Sequence, residues 1–373
     1  MSNHKFIFDD EKDSAEGMLS ASQINAFLKC RKNWEYSYVY KIKPRVERPY
    51  LTIGKLCHVG MAAAWQIHFW YTTAGETPNI EQCIENGINA IQNEYDEYMN
   101  ENTFVEEEIP FQEQLLCDSK IIFRNAFLRF KPEEWKVTTI QVTKKKAIPA
   151  IELHFKLPFK GFKGLHGFID LIAEHVPTGQ TWSIDYKFTK SITENDTIEE
   201  AYNLQNTIYL HATKLLGINT VGTITYKHLN TPPSLPKVNQ NGTISRAKIK
   251  TDWETYAAFC EMNGQNPLDY QEEMQPKLDE FTWFMFIKEL RSDETITAIW
   301  NEIIIPASKD IKAKTTKYTR SMSAWNCKLC SFTEICQGQL RGYDTDYYMS
   351  TVYVKKTYTE TEEDNVEEIT KGD

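Results

Sequence analysis

The sequence predicts an α/β protein in which a central mixed sheet is flanked by helices. Apolar residues recur at helical spacing in the first third of the chain. Short segments rich in β-branched and aromatic residues begin near residue 137, and helical patterns return after residue 252. The chain has 373 residues with a hydrophobic fraction of 41%, which is enough to bury a substantial core and argues against wholesale disorder.

Residues 19–40 predict an amphipathic first helix. Ser20 and Gln23 have the spacing of a capping box, a pattern that satisfies backbone amides at the start of a helix. Cys30 falls inside this predicted helix.

Two further helical regions are predicted before the sheet. Residues 51–70 are largely apolar and carry His58, which predicts a buried helix. Residues 78–135 are helical and charged and contain no glycine-rich break, and we interpret them as a helical insertion or subdomain.

Four short segments predict the strands of the sheet. They are rich in β-branched or aromatic residues and are bounded by lysine, glycine and proline clusters. Their bounds are 137–143, 150–159, 165–174 and 181–188. Because Pro177-Thr178-Gly179 separates the last two, we expect those strands to form a hairpin.

A helix and another strand follow the predicted hairpin. Thr197 with Glu200 predicts a helix start, and Gly217 is a plausible residue just beyond its end. Residues 219–229 predict a strand, and residues 252–305 predict helices.

The net charge of −10 does not exclude a nucleic-acid partner, because most of it lies at the chain ends. Residues 360–373 hold seven acidic residues and one lysine, and residues 9–16 hold five acidic residues and one lysine. The body of the chain, residues 17–359, is therefore nearly neutral.

No targeting or membrane segment is evident. The longest apolar runs fall short of the roughly 18–20 residues that a membrane span needs, and the first residues lack the pattern of a secretory signal. We therefore expect a cytoplasmic protein with no membrane partner.

The densest chemistry lies in the two segments around Asp170 and Asp185. In a strand, Asp185 and Lys187 share one face, and hairpin pairing would bring Asp170 beside Asp185. Two partly buried carboxylates repel each other, and a hard divalent cation such as Mg²⁺ or Mn²⁺ would relieve that repulsion. Glu152 on the preceding strand is a possible additional carboxylate. The alternative interpretation is an edge hairpin with ordinary surface charges.

Three more residues fit such a site. His58 offers an imidazole ligand, although a histidine satisfied within the core is the alternative. Gln205 and Tyr209 are four residues apart, so they share one helix face and could hold a DNA phosphate or base, unless they are simply helix surface.

The order of these motifs resembles that of RecB-like nucleases of the PD-(D/E)XK superfamily. The pattern is G-x-x-x-H, G-x-x-D, D-x-K and Q-x-x-x-Y, carried here by His58, Asp170, Asp185, Lys187, Gln205 and Tyr209. The opening segment from Leu19 to Cys30 also resembles the first helix of that family. Asp185 stands where many members have glutamate.

The resemblance implies a restriction-endonuclease-like core and a metal-dependent DNase. His58, Asp170, Asp185 and the backbone carbonyl of Tyr186 would bind Mg²⁺ or Mn²⁺. The implied catalytic residues are Asp170, Asp185, Lys187, Gln205 and Tyr209.

Four of the eight cysteines suggest a second metal centre. Cys327, Cys330 and Cys336 are spaced closely enough to aim three sulphurs at one point, and they need a fourth ligand from elsewhere. The chain resembles iron–sulphur members of the family, such as CRISPR-associated single-strand exonucleases and AddB-type subunits, in having one cysteine, Cys30, upstream of the nuclease motifs. The resemblance implies a [4Fe–4S] cluster, with zinc or four unrelated thiols as alternatives.

The predicted organisation is a single nuclease domain between two extensions. Its segments are a flexible N-terminus at 1–18, the domain at 19–338, and a C-terminal extension with an acidic tail at 339–373. Within the domain we expect the helical insertion at 78–135, the catalytic core at 137–230, and a helical and cysteine-cluster segment at 252–338.

By resemblance, the expected activity is that of a DNA exonuclease acting on ends, preferentially of single strands, in recombination, repair or replication. The setting would be a bacterial or phage-infected cell. Because no helicase P-loop is present, unwinding would need a helicase or recombination-protein partner. The alternatives are a DNA-end binding or processing subunit with little cleavage of its own, and a non-catalytic component stabilised by the cluster or by zinc.

Basic and aromatic residues are candidate DNA contacts. Three basic stretches could follow the phosphate backbone, with solvated protein surface as the alternative: Lys144–Lys146, Arg246–Lys250 and Lys309–Arg320. Trp34, Tyr36 and Tyr38 could stack on bases, although core packing explains most aromatic residues better.

Overall fold

The computed structural model describes residues 17–45, 49–102, 104–141, 147–313 and 317–355. The predicted flexible N-terminus up to residue 16, the basic stretch Lys144–Lys146 and the acidic tail lie outside the described residues.

The described strands account for one large sheet and two small ones. Their bounds are β1 (Leu19–Ser20), β2 (Ile42–Pro44), β3 (Trp135–Val137), β4 (Thr139–Gln141), β5 (Ala147–Pro149), β6 (Ile151–Leu157), β7 (Leu165–His175), β8 (Gln180–Thr189), β9 (Gly222–Leu229), β10 (Phe284–Glu289) and β11 (Tyr353–Lys355).

The helices surround the large sheet. They are α1 (Ala21–Lys29), α2 (Arg31–Trp34), α3 (Pro49–Ala74), α4 (Ile80–Glu101), α5 (Ile109–Phe130), α6 (Asn195–Ala201), α7 (Leu204–Leu215), α8 (Trp253–Met262), α9 (Leu268–Leu278), α10 (Asp293–Ile299), α11 (Ile305–Lys312), α12 (Ala324–Lys328), α13 (Thr333–Leu340) and α14 (Asp346–Val352). Short π-helical turns extend α2 over Glu35–Val39 and join α10 to α11 over Trp300–Ile304.

The central sheet is mixed, as predicted. Seven strands form it, in the order β1-β7-β8-β9-β10, with β3 and β6 also pairing along β7. Strands β7 and β8 form the predicted antiparallel hairpin, in which the backbone amide of Gly179 donates to the carbonyl of His175. Strand β9 then lies parallel to β8, because α6 and α7 form the crossover between them.

The larger core lies between the sheet and helices α3, α4 and α5. One face of β8 and β9 contributes Ile184, Tyr186, Ile224 and Tyr226, all almost fully buried. The helices α4 and α5 bury apolar residues in this same cluster, so the region predicted as an insertion belongs to the main core.

A second core lies on the other side of the sheet. Helices α1, α7 and α11 pack there. Ile24 of α1, Ile208 of α7 and Ile304 of the π-helical turn before α11 are each fully buried. Leu153 and Ile169 of β6 and β7 complete the cluster. The predicted arrangement of a mixed sheet flanked by helices is therefore confirmed.

The prediction of one helix over residues 19–40 is wrong. Ser20 caps α1 as expected, because its hydroxyl accepts from the amide of Gln23 at 3.2 Å. However, Cys30 has extended backbone angles (φ −164°, ψ 109°) and separates α1 from α2. The cysteine thus sits in a break between helices rather than on a helix face.

The predicted helix from Thr197 to Gly217 is also divided in two. Asn203 separates α6 from α7, and its side-chain oxygen caps α7 by accepting from the amide of Gln205 at 2.9 Å. Glu200 does not cap a helix, because its buried carboxylate bonds to residues of β9 and α7. Gly217 does follow the helix end with a φ of 74°, as predicted.

The prediction of continuous helices over 252–305 missed β10. Residues Phe284–Glu289 form a strand that pairs antiparallel with residues 223–228 of β9. Strand β9 is buried at every position, so an outer strand is needed to satisfy its second row of backbone groups.

The end of the described chain returns to its beginning. Strand β11 pairs antiparallel with β2, and Tyr353 packs on Phe332 beside Tyr36. The extension predicted to begin at residue 339 therefore packs against the fold as far as Lys355. None of the described helices is long and apolar enough to cross a membrane.

Candidate active site and cysteine cluster

The sequence-predicted site residues meet in one cleft. The cleft has a volume of about 570 Å³ and opens where the first half of β7 faces the end of β8, α1 and α7. Its lining includes His58, Asp170, Asp185, Lys187, Gln205 and Tyr209. Residues up to about 150 positions apart in the sequence are thus brought together.

Asp170 sits at the point where the β7–β8 ladder ends. The last paired residues are Leu171 and Ile184. Beyond them, the backbone amide of Tyr186 on β8 needs a partner other than β7 backbone. The side chain of Asp170 supplies it, because its Oδ2 accepts from the backbone amide of Tyr186 at 2.7 Å. This bond fixes the carboxylate at the point where β7 and β8 separate.

His58 approaches Asp170 from helix α3. Its Nδ1 lies 3.4 Å from Oδ2 of Asp170. The rings of Tyr186 and Phe188 contact the imidazole edge-on, with centroids 6.1 and 5.8 Å away. These contacts hold the imidazole at the edge of the larger core, half-buried and aimed at the carboxylate.

Glu152 completes a group of three metal-ligand side chains. Its neighbours on β6 pair with Ile169 and Leu171, which places Glu152 opposite Asp170. One ligand atom each from His58, Glu152 and Asp170 lies within 4.8 Å of the other two. Glu152 also has a φ of 45°, an uncommon conformation for a residue with a side chain. The strained position and the donor group coincide, a pattern that is common at functional sites.

Asp185 and Lys187 form an ion pair next to this group. Oδ2 of Asp185 lies 2.7 Å from Nζ of Lys187, and the Asp185 side chain is almost fully buried. Burial raises the pKa of Asp185 to about 6, against the opposing effect of Lys187 and with a further rise from Asp170. Burial acts to lower the pKa of Lys187, but Asp185 and Asp170 outweigh it, so the pKa of the lysine is raised.

Gln205 links the ion pair to helix α7. Its Nε2 donates to Oδ1 of Asp185 at 2.6 Å and to the hydroxyl oxygen of Tyr209 at 2.9 Å. The two residues share one helix face, as their spacing predicts, and that face looks into the cleft. The amide therefore fixes the orientation of the Asp185 carboxylate.

Sequence reasoning missed a second polar network, which lies beside Lys187. In the parallel pairing of β8 and β9, Lys227 stands next to Lys187, and its Nζ lies 3.2 Å from Asp196 and 3.5 Å from Glu200. The carboxylate of Glu200 also accepts from the hydroxyl of Thr225 at 2.9 Å. The signal was the alternation of polar and apolar residues from Thr223 to Lys227, which puts the polar ones on the face of β9 that continues the face of Lys187.

The four cysteines of the predicted second centre also meet in one place. Cys30, Cys327, Cys330 and Cys336 line a single small cavity of about 80 Å³. The break between α1 and α2 places Cys30 there, and the turns around α12 and α13 place the other three.

Nitrogen donors point at three of these sulphurs. The Sγ of Cys30 accepts from the amide of Ser321 at 3.4 Å, and the Sγ of Cys336 accepts from Nε of Arg320 at 3.3 Å. Cys330 accepts from Nδ2 of Asn33 at 3.2 Å. In metal–thiolate sites, hydrogen bonds of this kind orient and tune the sulphur ligands.

The remaining four cysteines and the stretch Arg246–Lys250 contribute no lining residue to the cleft or to the cysteine cavity. Cys57 and Cys83 are buried in the larger core, Cys260 is buried in a separate small core, and Cys117 is exposed. In the stretch from Arg246 to Lys250, Arg246 pairs with Glu273 and Lys248 with Glu280, which weakens its positive field. Of the three candidate stacking residues, Trp34 and Tyr36 are buried, and Tyr38 lines the cleft.

The family comparison agrees with this geometry. The family model of the PD-(D/E)XK nuclease superfamily matches residues 18–337, most of the chain. The chain belongs to the PD-(D/E)XK nuclease superfamily. Members typically use divalent metal ions, and the imidazole and two carboxylates of His58, Glu152 and Asp170 are suitable donors for such an ion. No curated protein sequence matches the chain. The superfamily match includes the six sequence-predicted cleft residues and the four cysteines.

Proposed function

We propose that this PD-(D/E)XK protein is a metal-dependent DNA exonuclease that acts on ends of single-stranded DNA. The observation that carries the proposal is the convergence of three metal-ligand side chains beside the Asp185–Lys187 pair in one cleft. The expected setting is recombination, repair or replication in the cytoplasm, with a helicase or recombination protein as partner.

The proposed metal ligands are His58, Asp170, Asp185 and the carbonyl of Tyr186, with Glu152 as a further carboxylate. The residues fit a hard divalent cation, because they offer carboxylate and imidazole donors, and because buried carboxylates close to one another need positive charge. When bound, Mg²⁺ or Mn²⁺ supplies charge that polarises the phosphodiester and acidifies water.

Lys187 and Gln205 have separate proposed roles at the scissile phosphate. The ammonium group of Lys187 is held by Asp185 on the cleft wall, where it would stabilise the negative charge that develops on the phosphate. Gln205 keeps Asp185 oriented through Oδ1, and Tyr209 bonds to Gln205 in turn. The phenol and the amide would also contact the DNA strand as it enters the cleft.

We further propose that the four cysteines hold a [4Fe–4S] cluster. The four side chains line one small cavity, and nitrogen donors bond to three of their sulphurs. Four thiolates suit a [4Fe–4S] cluster, in which each thiolate binds a different iron, and one tetrahedral zinc ion is the alternative.

The test of the nuclease proposal is release of nucleotides from end-labelled DNA. Purified protein with Mn²⁺ should shorten 5′- and 3′-labelled single strands progressively, and chelation of the cation should stop it. Asp185→Ala and Lys187→Ala should each lower the rate at least about a hundredfold while keeping the circular dichroism of the parent. Glu174→Ala, on β7 but outside the cleft lining, is the matched control and should cleave normally.

Two outcomes would contradict the proposal in different ways. Tight binding of DNA ends without any cleavage would indicate a DNA-end binding or processing subunit. Cutting of closed circular single strands at the rate of linear ones would show an endonuclease rather than an exonuclease.

A further inference from the structure

A pair of stacked rings lies beside the metal-ligand group and has no role in the proposed chemistry. Phe168 of β7 and His154 of β6 stand opposite each other in the antiparallel pairing. Their rings stack with centroids 4.3 Å apart and planes 10° apart. Phe168 comes two residues before Asp170, which corresponds to about 6.6 Å along an extended strand.

The ring pair is turned away from the second core. On β6 and β7, Leu153, Phe155 and Ile169 are buried in that core, and His154 and Phe168 alternate with them and are only partly buried. A strand with one solvated face ordinarily puts polar residues there. Core packing therefore does not account for the phenyl ring of Phe168.

Phe168 of the ring pair belongs to the wall of the cleft, and His154 packs against it from β6. Phe168 lines the cleft together with Asp170 and Lys187. Further ring-bearing side chains, Tyr38, Phe162 and His166, line the same space. His166 is also in contact with the pair, with its Nδ1 3.4 Å from Nε2 of His154. The cleft thus combines the metal-ligand group and the Asp185–Lys187 pair with flat ring surface next to them.

We propose that the Phe168–His154 stack is a platform for an unpaired base of the DNA strand, about one nucleotide from the scissile phosphate. A base in single-stranded DNA can lie on the exposed side of the phenyl ring, whereas paired bases in a duplex are already stacked on their neighbours. The platform would select single strands without reading their sequence, because every base has a flat face. This inference rests on the proposed nuclease function of the same cleft.

The test is a scan of single abasic positions in a short labelled oligonucleotide. Binding is measured by fluorescence anisotropy without added divalent cation, so that cleavage does not interfere. The native protein should lose affinity at one position near the bound end, by about tenfold. Phe168→Leu should bind the intact strand about tenfold more weakly and lose this position-dependent penalty.

Two further variants control for folding and for general loss of aromatic surface. Phe168→Tyr keeps the ring and should retain the penalty. Phe111→Leu removes an exposed ring on α5, outside the cleft lining, and should behave as the parent. An affinity of the native protein that is equal at every abasic position would overturn the platform, and this result needs no variant to fold.

The two proposals fail in distinguishable ways. If the native protein binds every abasic oligonucleotide equally well but cleaves DNA normally with Mn²⁺, only the platform proposal is wrong. If one abasic position weakens binding but the protein cleaves no DNA, the nuclease proposal is wrong and the base-binding platform is supported.

Discussion

Individual residues of the site are held by bonds that the folded chain itself supplies. The carboxylate of Asp170 accepts a hydrogen bond from the Tyr186 amide, which has no partner in the strand ladder. The side chain of Gln205 donates to the carboxylate of Asp185 and fixes its orientation. Such bonds hold a carboxylate in place before any ion arrives, which reduces the reorganisation that binding requires. Glu152 differs, because it reaches its position with a left-handed backbone conformation.

The role of Glu152 can be tested by Glu152→Gln, which keeps the shape of the side chain and removes its charge. If the carboxylate is a metal ligand, the apparent affinity for Mn²⁺ should fall about tenfold to a hundredfold. Titration of cleavage rate against Mn²⁺ measures this, with Glu174→Gln as the control. An unchanged midpoint would remove Glu152 from the proposed ligand set.

A buried histidine outside the site predicts a loss of stability in acid. His228 donates from Nδ1 to the carbonyl of Leu229 at 2.8 Å and accepts at Nε2 from Arg129 at 3.0 Å, so it is neutral in the folded protein. Burial, with a contribution from the Arg129 charge, lowers its pKa to about 3. In the unfolded chain the histidine pKa is about 6.5.

Between these pKa values the unfolded chain takes up a proton at His228 and the folded chain does not. The free energy of unfolding therefore falls as the pH drops below about 6.5, by about 2 kcal/mol at pH 5 from this residue. Urea denaturation at pH 7 and pH 5 should show a smaller decrease for His228→Gln than for the parent. Equal decreases would mean that His228 is protonated in the folded state.

At the scale of elements, the close approach of α3 and α4 positions His58. Gly60 on α3 and Gly87 on α4 lie at this crossing. A Cβ built at Gly87 would be 2.2 Å from the ring of Phe123 and 2.7 Å from the carbonyl oxygen of Gly60. Only glycine lets the two helices approach this closely, so α3 and its histidine stay in register with the sheet.

The crossing predicts opposite effects for two glycine substitutions. Gly87→Ala should lower the free energy of unfolding by about 1–3 kcal/mol, because the carbonyl oxygen on the facing helix cannot move aside easily. Gly54→Ala has nothing within 4 Å of the added Cβ and should instead stabilise α3, by up to about 1 kcal/mol. Chemical denaturation measures both. If Gly87→Ala has the same free energy of unfolding as the parent, α3 and α4 can move apart without loss of stability.

At the scale of the whole molecule, the cysteine cluster joins the first helices to the last segment of the domain. Cys30 lies 297 residues before the second proposed ligand, Cys327, and strand β11 pairs with β2 close by. Because both ends of the domain meet here, a bound centre would restrict the unfolded chain strongly. The beginning of the domain, from Gly17 to Gln23, also lines the cleft.

Loss of one cluster ligand should therefore affect the entire fold. Cys336→Ser is expected to lose iron and visible absorption and to lower the free energy of unfolding by roughly 2–5 kcal/mol, by analogy with removal of a cross-link that closes a long loop. Cys117→Ser, at an exposed thiol on α5, should change neither property. Unchanged metal content and melting in Cys336→Ser would show that the four cysteines hold no common centre. Stoichiometric zinc in colourless parent protein would exclude the [4Fe–4S] proposal.

Local pattern was sufficient to predict the mixed sheet, the β7–β8 hairpin and the shared face of Asp185 and Lys187, because strand alternation and turn chemistry act between near neighbours. It failed where a partner distant in sequence overrides propensity: the break at Cys30, the division at Asn203 and the strand Phe284–Glu289 that β9 requires.

The sequence by itself therefore determined which donor groups the chain carries and in what order. Tertiary structure alone decided that Glu152 stands opposite Asp170, that Lys227 adjoins Lys187, and that Phe168 and His154 stack beside the site. The physical reason is that strand register and helix crossing are set by burial across the whole core, and no local pattern contains that information.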